Sequence, residues 1–166
     1  MTGRLKDKVC IITGTGSGMG RAAALLFCKE GAKVVGCDIN ADNAQATLRD
    51  AQKAGGQMVS LQPADLTKQE RCDALADLAL KSYGGIDVVY NNAATAYFGW
   101  MDTFTYEEFA RTIEEELLIV FRFCKTVWPQ SRAAARSSTS PRPRRRSPTR
   151  RCRASPTPRR KAACSP

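Results

Sequence analysis

The sequence predicts an α/β fold, a doubly wound parallel sheet, and two observations support this fold class. Short apolar runs typical of buried strands alternate four times with longer helical segments, and the connections between them are short. A glycine-rich turn joins the first apolar run to the first helical segment. Because the alternation ends at Pro129, we expect an incomplete sheet of about four strands.

Each predicted strand is a short run rich in apolar residues, and the helices are bounded by glycine, asparagine or proline. Asn40 stands where the side chain of an N-cap residue accepts a hydrogen bond from the first turn of the second helix. In chain order the predicted elements are strand 9–12, helix 21–30, strand 33–38, helix 41–53, strand 58–61, helix 68–82, strand 86–90 and helix 105–128.

The charge of the chain is divided between two regions. Residues 1–130 carry 14 basic and all 16 acidic side chains, whereas residues 131–166 carry 12 basic side chains and no acidic one. The second region also holds six of the eight prolines and contains no Val, Ile, Leu, Met, Phe, Tyr or Trp. Such a segment buries too little apolar surface to offset its chain entropy. We therefore expect one domain at 1–130 and a disordered Arg/Pro/Ser-rich tail at 131–166.

The composition also excludes several kinds of site. The chain has no His, which excludes a His-liganded metal site and a Ser-His-Asp triad. Its seven cysteines form no C-x-x-C motif, so we expect no metal, and Cys10 and Cys37 lie in apolar runs typical of buried strands. No signal segment and no run of about 18 apolar residues is present, so we expect a cytoplasmic protein that does not enter membranes.

The turn after the first strand predicts a phosphate site. Its sequence is T-G-T-G-S-G-M-G, in which Gly14, Gly18 and Gly20 are spaced G-x-x-x-G-x-G. Glycines let backbone approach a ligand, and the following helix offers free N–H groups to a pyrophosphate. Asp38 ends the second strand, where its carboxylate can accept from both ribose hydroxyls and repel a 2′-phosphate. The glycine turn could instead be only a flexible connection, and Asp38 could be only a solvated aspartate at the end of a strand. If both the turn and Asp38 contact a dinucleotide, the carboxylate favours NAD over NADP.

Two later motifs complete a family resemblance: Asp65-Leu66-Thr67 after the third strand and Asn91-Asn92-Ala93-Ala94 after the fourth. With the glycine turn and Asp38, they resemble the short-chain dehydrogenase/reductase family, whose fold is a Rossmann-type α/β sheet. The resemblance implies NAD(P)-dependent redox of a small-molecule alcohol or ketone. It implies that the dinucleotide contacts Gly14, Ser17, Gly18, Met19, Gly20, Asp38, Ile39, Asp65, Leu66, Asn91, Asn92 and Ala93.

Some of these residues have simpler interpretations. Asp65 could be only an N-cap of the third helix, and the two asparagines could be only a turn at the end of a strand. Ala94 departs from the usual family glycine and adds a Cβ at a tight turn. Tyr97, Phe98 and Trp100 could line a substrate mouth or simply pack.

The family's catalytic residues are missing. The family uses a Tyr with a Lys four residues later, a Ser, and an Asn on the fourth helix, a position where this chain has Glu116. The four tyrosines Tyr83, Tyr90, Tyr97 and Tyr106 are followed four residues later by Asp87, Ala94, Met101 and Ala110. We therefore expect no catalytic residue and no family reaction from this chain.

Residues 131–166 have a specific interpretation as a frameshifted translation. If the reading frame is shifted by one base, each new codon joins the third base of one codon to the first two bases of the next. In this shifted frame, residues 131–142 can encode x-G-G-G-S-I-V-N-V-S-S. Residues 154–166 can encode V-A-Y-T-A-S-K-G-G-V-L-S. The Pro156/Thr157 junction permits only Tyr, His, Asn or Asp, and the Arg160/Lys161 junction permits Lys, Gln, Glu or a stop. These positions have the Y-x-x-x-K spacing. Our hypothesis is therefore that residues 131–166 are a frameshifted translation of the second half of a dehydrogenase, with the shift near residues 130–132, and that the chain is truncated.

Two other functions remain open at this point. One is a non-catalytic dinucleotide-binding fragment, and the other is nucleic-acid association through the arginines of the tail, which would in any case bind RNA incidentally. The helix at 105–128 also has two interpretations, either a core stripe or the family's helix-to-helix contact in a homo-oligomer. Trp128 and Phe123 would widen its apolar surface. The stripe is Phe109, Ile113, Leu117, Val120, Phe121 and Cys124.

Overall fold

A computed structural model describes residues 3–132 of the chain. The prediction of disorder from residue 133 onward lies outside these residues. Within the described part, Ser131 forms a parallel bridge to Ile86, and the Arg132 backbone N–H donates to the Ile86 carbonyl at 3.0 Å. The chain at this point therefore runs beside the segment that leads into the fourth strand.

The structure confirms the alternating order of strands and helices, with boundaries shifted by a few residues. The strands are β1 Val9–Thr13, β2 Lys33–Cys37, β3 Gln57–Leu61 and β4 Val88–Tyr90. The helices are α1 Gly18–Lys29, α2 Ala41–Lys53, α3 Gln69–Tyr83, α4 Tyr106–Ile113 and α5 Ile119–Val127.

The four strands are parallel and lie in the order β3-β2-β1-β4. Asn40 is the N-cap of α2, since its side chain accepts a hydrogen bond from the Asn43 N–H at 3.0 Å. In this order the carboxyl ends of β1, β2 and β4 meet at one edge of the sheet, which is where α/β folds bind their ligands.

Helices cover both faces of the sheet. Alternate residues of β1 point to opposite faces, so Ile11 packs in one core with α3 and α5, and Ile12 packs in the other with α1 and α2. Both faces need apolar side chains, which explains the near-continuous apolar strands. Cys10 and Cys37 are buried in these cores, as predicted.

The prediction of one regular helix at 105–128 needs correction. A π-helical turn, Glu114–Leu118, separates α4 from α5 and changes which side chains face the sheet. Phe123 is fully buried, contrary to the expectation that it would extend an exposed surface. The core interpretation of the predicted stripe is wrong, because Phe121 is 66% exposed and Leu117 is also exposed. Contact with a second helix stays a prediction.

Among residues 3–132, no helix combines the length and the apolar character that a membrane span requires.

Candidate functional site

A cavity of about 750 Å³ lies at the carboxyl ends of β1, β2 and β4. Ten of the twelve predicted site residues line it, and Gly20 and Asn91 do not. The ten are Gly14, Ser17, Gly18, Met19, Asp38, Ile39, Asp65, Leu66, Asn92 and Ala93.

Two glycines of the turn between β1 and α1 occupy positions with no room for a side chain. Gly14 has a φ of +73°, and a Cβ at this position would lie 2.9 Å from the Ala93 Cα. A Cβ on Gly20 would lie only 1.9 Å from the Gly14 carbonyl oxygen. Gly20 therefore sets the close approach of α1 to the turn, although it does not reach the cavity.

The beginning of α1 is open toward a ligand. Ser17 is its N-cap residue, and the Ser17 side chain makes no capping hydrogen bond to the helix. The first-turn N–H groups and the positive end of the helix dipole are thus available to an anion. Ser17, Gly18 and Met19 line the cavity here. The bare backbone and the open helix end fit the pyrophosphate of a dinucleotide.

Asp38 lies just beyond β2, and backbone groups hold both of its carboxylate oxygens. The Gly16 N–H donates to Oδ2 at 2.7 Å, and the Asn40 N–H donates to Oδ1 at 2.8 Å. A Cβ on Gly16 would lie 2.8 Å from this carboxylate, so Gly16 permits the contact. These two hydrogen bonds fix the orientation of the carboxylate.

Asp65 follows β3 and is part of a local turn. Its Oδ1 accepts hydrogen bonds from the Thr67 N–H at 2.9 Å and from the Thr67 hydroxyl at 2.7 Å. Desolvation raises the pKa of Asp65, but these two hydrogen bonds, with Lys68 and Arg122, outweigh it and lower the pKa below its ordinary value. Asp65 therefore presents a charged carboxylate whose Oδ2 is not used by Thr67.

The two asparagines after β4 have different roles. The Asn92 and Ala93 N–H groups both donate to the buried Thr13 hydroxyl at 2.9 Å, and Asn92 Nδ2 donates to the Thr13 carbonyl at 3.1 Å. These bonds tie the end of β4 to the end of β1 and shape the cavity floor. Asn91 instead points toward α5, where its Nδ2 donates to Cys124 Sγ at 3.4 Å.

The β4 side of the cavity holds a cluster that sequence reasoning missed. The Tyr97 hydroxyl donates to Glu115 Oε2 and Arg111 Nη2 donates to Glu115 Oε1, each at 3.4 Å. The Arg111 guanidinium also lies 4.6 Å from the centre of the Tyr97 ring. The three side chains meet only through the fold, since Tyr97 precedes α4. Their sole advance signal was the i, i+4 spacing of Arg111 and Glu115.

Three further predictions about this side have clear outcomes. Tyr97 lines the cavity, as one interpretation proposed. Phe98 and Trp100 do not line it and are 93% and 84% exposed. Glu116 is exposed on the π-helical turn, and its neighbour Glu115 faces the cavity instead.

The described part of the chain brings no three Cys, Asp or Glu side chains together in an arrangement that could hold a metal ion.

Comparisons with known proteins agree with this geometry. A family model described as short chain dehydrogenase matches residues 8–138. Over 90 residues the chain is 42% identical to the 7alpha-hydroxysteroid dehydrogenase of Escherichia coli strain K12, an alignment that covers 54% of this chain and 35% of that protein.

Two solved structures share the fold. A 7 alpha-hydroxysteroid dehydrogenase in complex with NADH and 7-oxo glycochenodeoxycholic acid is 35% identical, with a TM-score of 0.73 over 78% of this chain and 50% of that chain. A polyketide ketoreductase, the F189W variant of the actinorhodin enzyme with NADPH, is 27% identical, with a TM-score of 0.71 over 79% of this chain and 49% of that chain. This chain thus spans about half the length of the structures it resembles.

Proposed function

Since this chain belongs to the short-chain dehydrogenase family, we propose that residues 3–132 bind NAD in the cavity. They would form the coenzyme-binding part of an oxidoreductase that interconverts alcohols and carbonyl compounds. The observation that carries this proposal is the Asp38 carboxylate, which two backbone N–H groups hold at the cavity wall. Bound NAD would accept the hydride in such a reaction, and the protein binds and orients it.

Asp38 favours NAD over NADP through its charge. Each carboxylate oxygen accepts one backbone hydrogen bond and keeps a lone pair for a ribose hydroxyl, whereas a 2′-phosphate would be repelled. Among residues 3–132, Arg111 is the only basic side chain that lines the cavity, and it pairs with Glu115 on the β4 side. The two similar structures hold NADH in one case and NADPH in the other. The preference for NAD therefore rests on the residues of this chain.

The remaining walls suit the other parts of the dinucleotide. The open beginning of α1 would receive the pyrophosphate. Because Thr67 uses only Oδ1 of Asp65, the Oδ2 atom is able to accept a hydrogen bond from the amino group of adenine. Asn92 and Ala93 would support the nicotinamide half through their bonds to Thr13.

In our proposal, this chain binds the dinucleotide but does not convert a substrate. No Tyr in the sequence is followed by a Lys four residues later, so the general acid–base group of the family is missing. The codons of residues 131–166 can spell a Ser and a Y-x-x-x-K motif in a shifted frame. The enzyme would then be the product of that frame joined to residues 1–130.

Titration calorimetry of the full chain with NAD and NADP tests the binding proposal. We expect Asp38→Asn to weaken NAD binding about tenfold or more, because it replaces charge-assisted hydrogen bonds by neutral ones, and to narrow the preference for NAD over NADP. Asp42→Asn is the matched control, since Asp42 is an exposed aspartate in the first turn of α2. Absence of NAD binding by folded wild-type chain would overturn the proposal.

The reading-frame proposal is tested on the gene. Sequencing across codons 125–135 should locate the shift, and a version with the frame restored should reduce NAD when given a panel of alcohols. The present chain should give no NADH absorbance under the same conditions. If the shifted register contains a stop codon before the Y-x-x-x-K motif, the idea fails.

A further inference from the structure

Arg122 lies on α5, outside the cavity, and its guanidinium contacts two segments that contribute residues to the cavity lining. Nη1 donates to the Leu66 carbonyl at 3.3 Å, and Nη2 donates to Glu114 Oε1 at 2.8 Å. The Arg122 side chain is 25% exposed, so these bonds are partly shielded from water. One side chain thus joins the loop after β3 to the beginning of the π-helical turn.

The Leu66 carbonyl belongs to the wall that would face adenine. Leu66 is buried, follows Asp65 directly and lines the cavity. Besides Arg122, the only donor to this carbonyl among residues 3–132 is Cys72 Sγ, at 3.5 Å, and a thiol is a weak donor. Arg122 therefore provides the one charge-assisted hydrogen bond to this carbonyl among residues 3–132.

The second contact of Arg122 is with Glu114, next to a residue that lines the cavity. Glu114 begins the π-helical turn, and the next residue, Glu115, faces the cavity beside Tyr97. Glu114 and Arg122 are eight residues apart, so a regular i, i+4 pair does not explain their contact. A planar guanidinium can bond a carbonyl and a carboxylate together, which a lysine cannot do equally well.

We propose that Arg122 is a positioning residue that holds the Asp65–Leu66 loop in the geometry that binds the adenosine half of a dinucleotide. This inference rests on the proposed NAD-binding function. Arg122 would act through Leu66 and Asp65, without touching the ligand itself.

Electrostatics supports the same role. The positive charge of Arg122 is among the causes that lower the pKa of Asp65, after its hydrogen bonds to Thr67 and the charge of Lys68. Removal of the guanidinium would therefore loosen the loop. It would also remove one of the charges that lower the pKa of Asp65.

Arg122→Met tests the role, because Met keeps much of the aliphatic length and removes the donors. Lys125→Met, an exposed charge removal on the same helix, is the matched control. We expect Arg122→Met to weaken the binding of NAD about tenfold and the binding of AMP by the same factor. Equal losses would place the effect at the adenosine half, which the two ligands share. Arg122→Lys should recover part of the loss, and Lys125→Met should lie within about twofold of wild type. A general packing defect would not give this matched loss with partial recovery by lysine.

Hydrogen exchange of the full chain without ligand separates this inference from the proposed function. Arg122→Met should speed exchange of the amides at 64–68 about tenfold, whereas Lys125→Met should not. Glu114→Gln, which keeps Arg122, should give a smaller increase, and this variant serves if Arg122→Met does not fold. Unchanged exchange at 64–68 in the folded variants overturns the inference even if the wild type binds NAD. If exchange at 64–68 is faster in Arg122→Met but the wild type does not bind NAD, Arg122 still stabilises the loop. Its role in adenosine binding would then be overturned.

Discussion

The β1–α3 region and the α4–α5 region of this molecule differ in how well their apolar residues are covered. In β1–α3, the apolar runs of the strands pack between helices on both faces of the sheet. In α4–α5, Ile119, Phe123 and Val127 are buried against the sheet, while Leu117, Phe121 and Trp128 are exposed. Exposed apolar side chains also occur in the first region, at Met19, Leu26 and Ile39, but most of its apolar residues are buried in its own core.

This difference shows what a π-helical turn can do to a periodic pattern. Five residues with wider turns rotate the rest of the helix relative to the preceding part, so the side chains that face the sheet are not the ones that regular spacing selects. Leu117, Phe121 and Trp128 are therefore left as exposed apolar side chains, and exposed apolar surface promotes association.

Among single substitutions, the largest expected effect contrasts two neighbouring phenylalanines of α5. Phe123→Ala should lower the free energy of unfolding by about 3–5 kcal/mol, because it leaves a cavity in the core. Phe121→Ala should change it by no more than about 0.5 kcal/mol, because this side chain is largely exposed. Urea unfolding of both variants measures the difference. If both variants lose the same unfolding free energy, the assignment of Phe123 to the core and Phe121 to the surface would be wrong.

A smaller effect is expected at the glycine turn. Gly20→Ala should destabilise the fold by about 3 kcal/mol, because the new Cβ would collide with the Gly14 carbonyl. Gly18→Ala meets no atom within 4 Å but has a φ of +51°, so it should cost only about 1 kcal/mol. Thermal unfolding of the two variants checks this order, and a reversed order would contradict the close packing of α1 on the turn.

Stability should also fall at alkaline pH, through four buried thiols. Burial raises the pKa of Cys10, Cys28 and Cys72 from 9.0 to about 11 and that of Cys37 to about 12. Since the folded state holds these thiol protons more tightly than the unfolded state, their contribution is complete below pH 9 and is lost as pH rises toward 11–12.

Urea midpoints measured between pH 8 and pH 11 should therefore fall with pH. Cys124→Ala, which removes an exposed thiol, should leave the slope of this fall unchanged. A midpoint that stays constant up to pH 11 would show that the four thiols are not buried as described.

The local sequence determined the first part of the molecule well. Apolar runs, a glycine turn and a strand-end aspartate are short-range signals, and they predicted the parallel sheet. Together with the family resemblance they also indicated ten residues of the cavity wall. Each signal reflects a backbone requirement within a few residues, such as space for a ligand at Gly14 or burial on both faces at Ile11 and Ile12. Their order along the chain then defines the edge of the sheet where they meet.

Only the tertiary structure decided which distant side chains came together. Nothing in the local sequence places Arg122 on the Leu66 carbonyl, Tyr97 on Glu115, or Phe123 rather than Phe121 in the core. These contacts depend on the orientation of α5 after the π-helical turn and on the packing of that helix across α3. Side-chain partners of this kind are chosen by three-dimensional packing, because spacing along a chain specifies a face of a helix but not what that face meets.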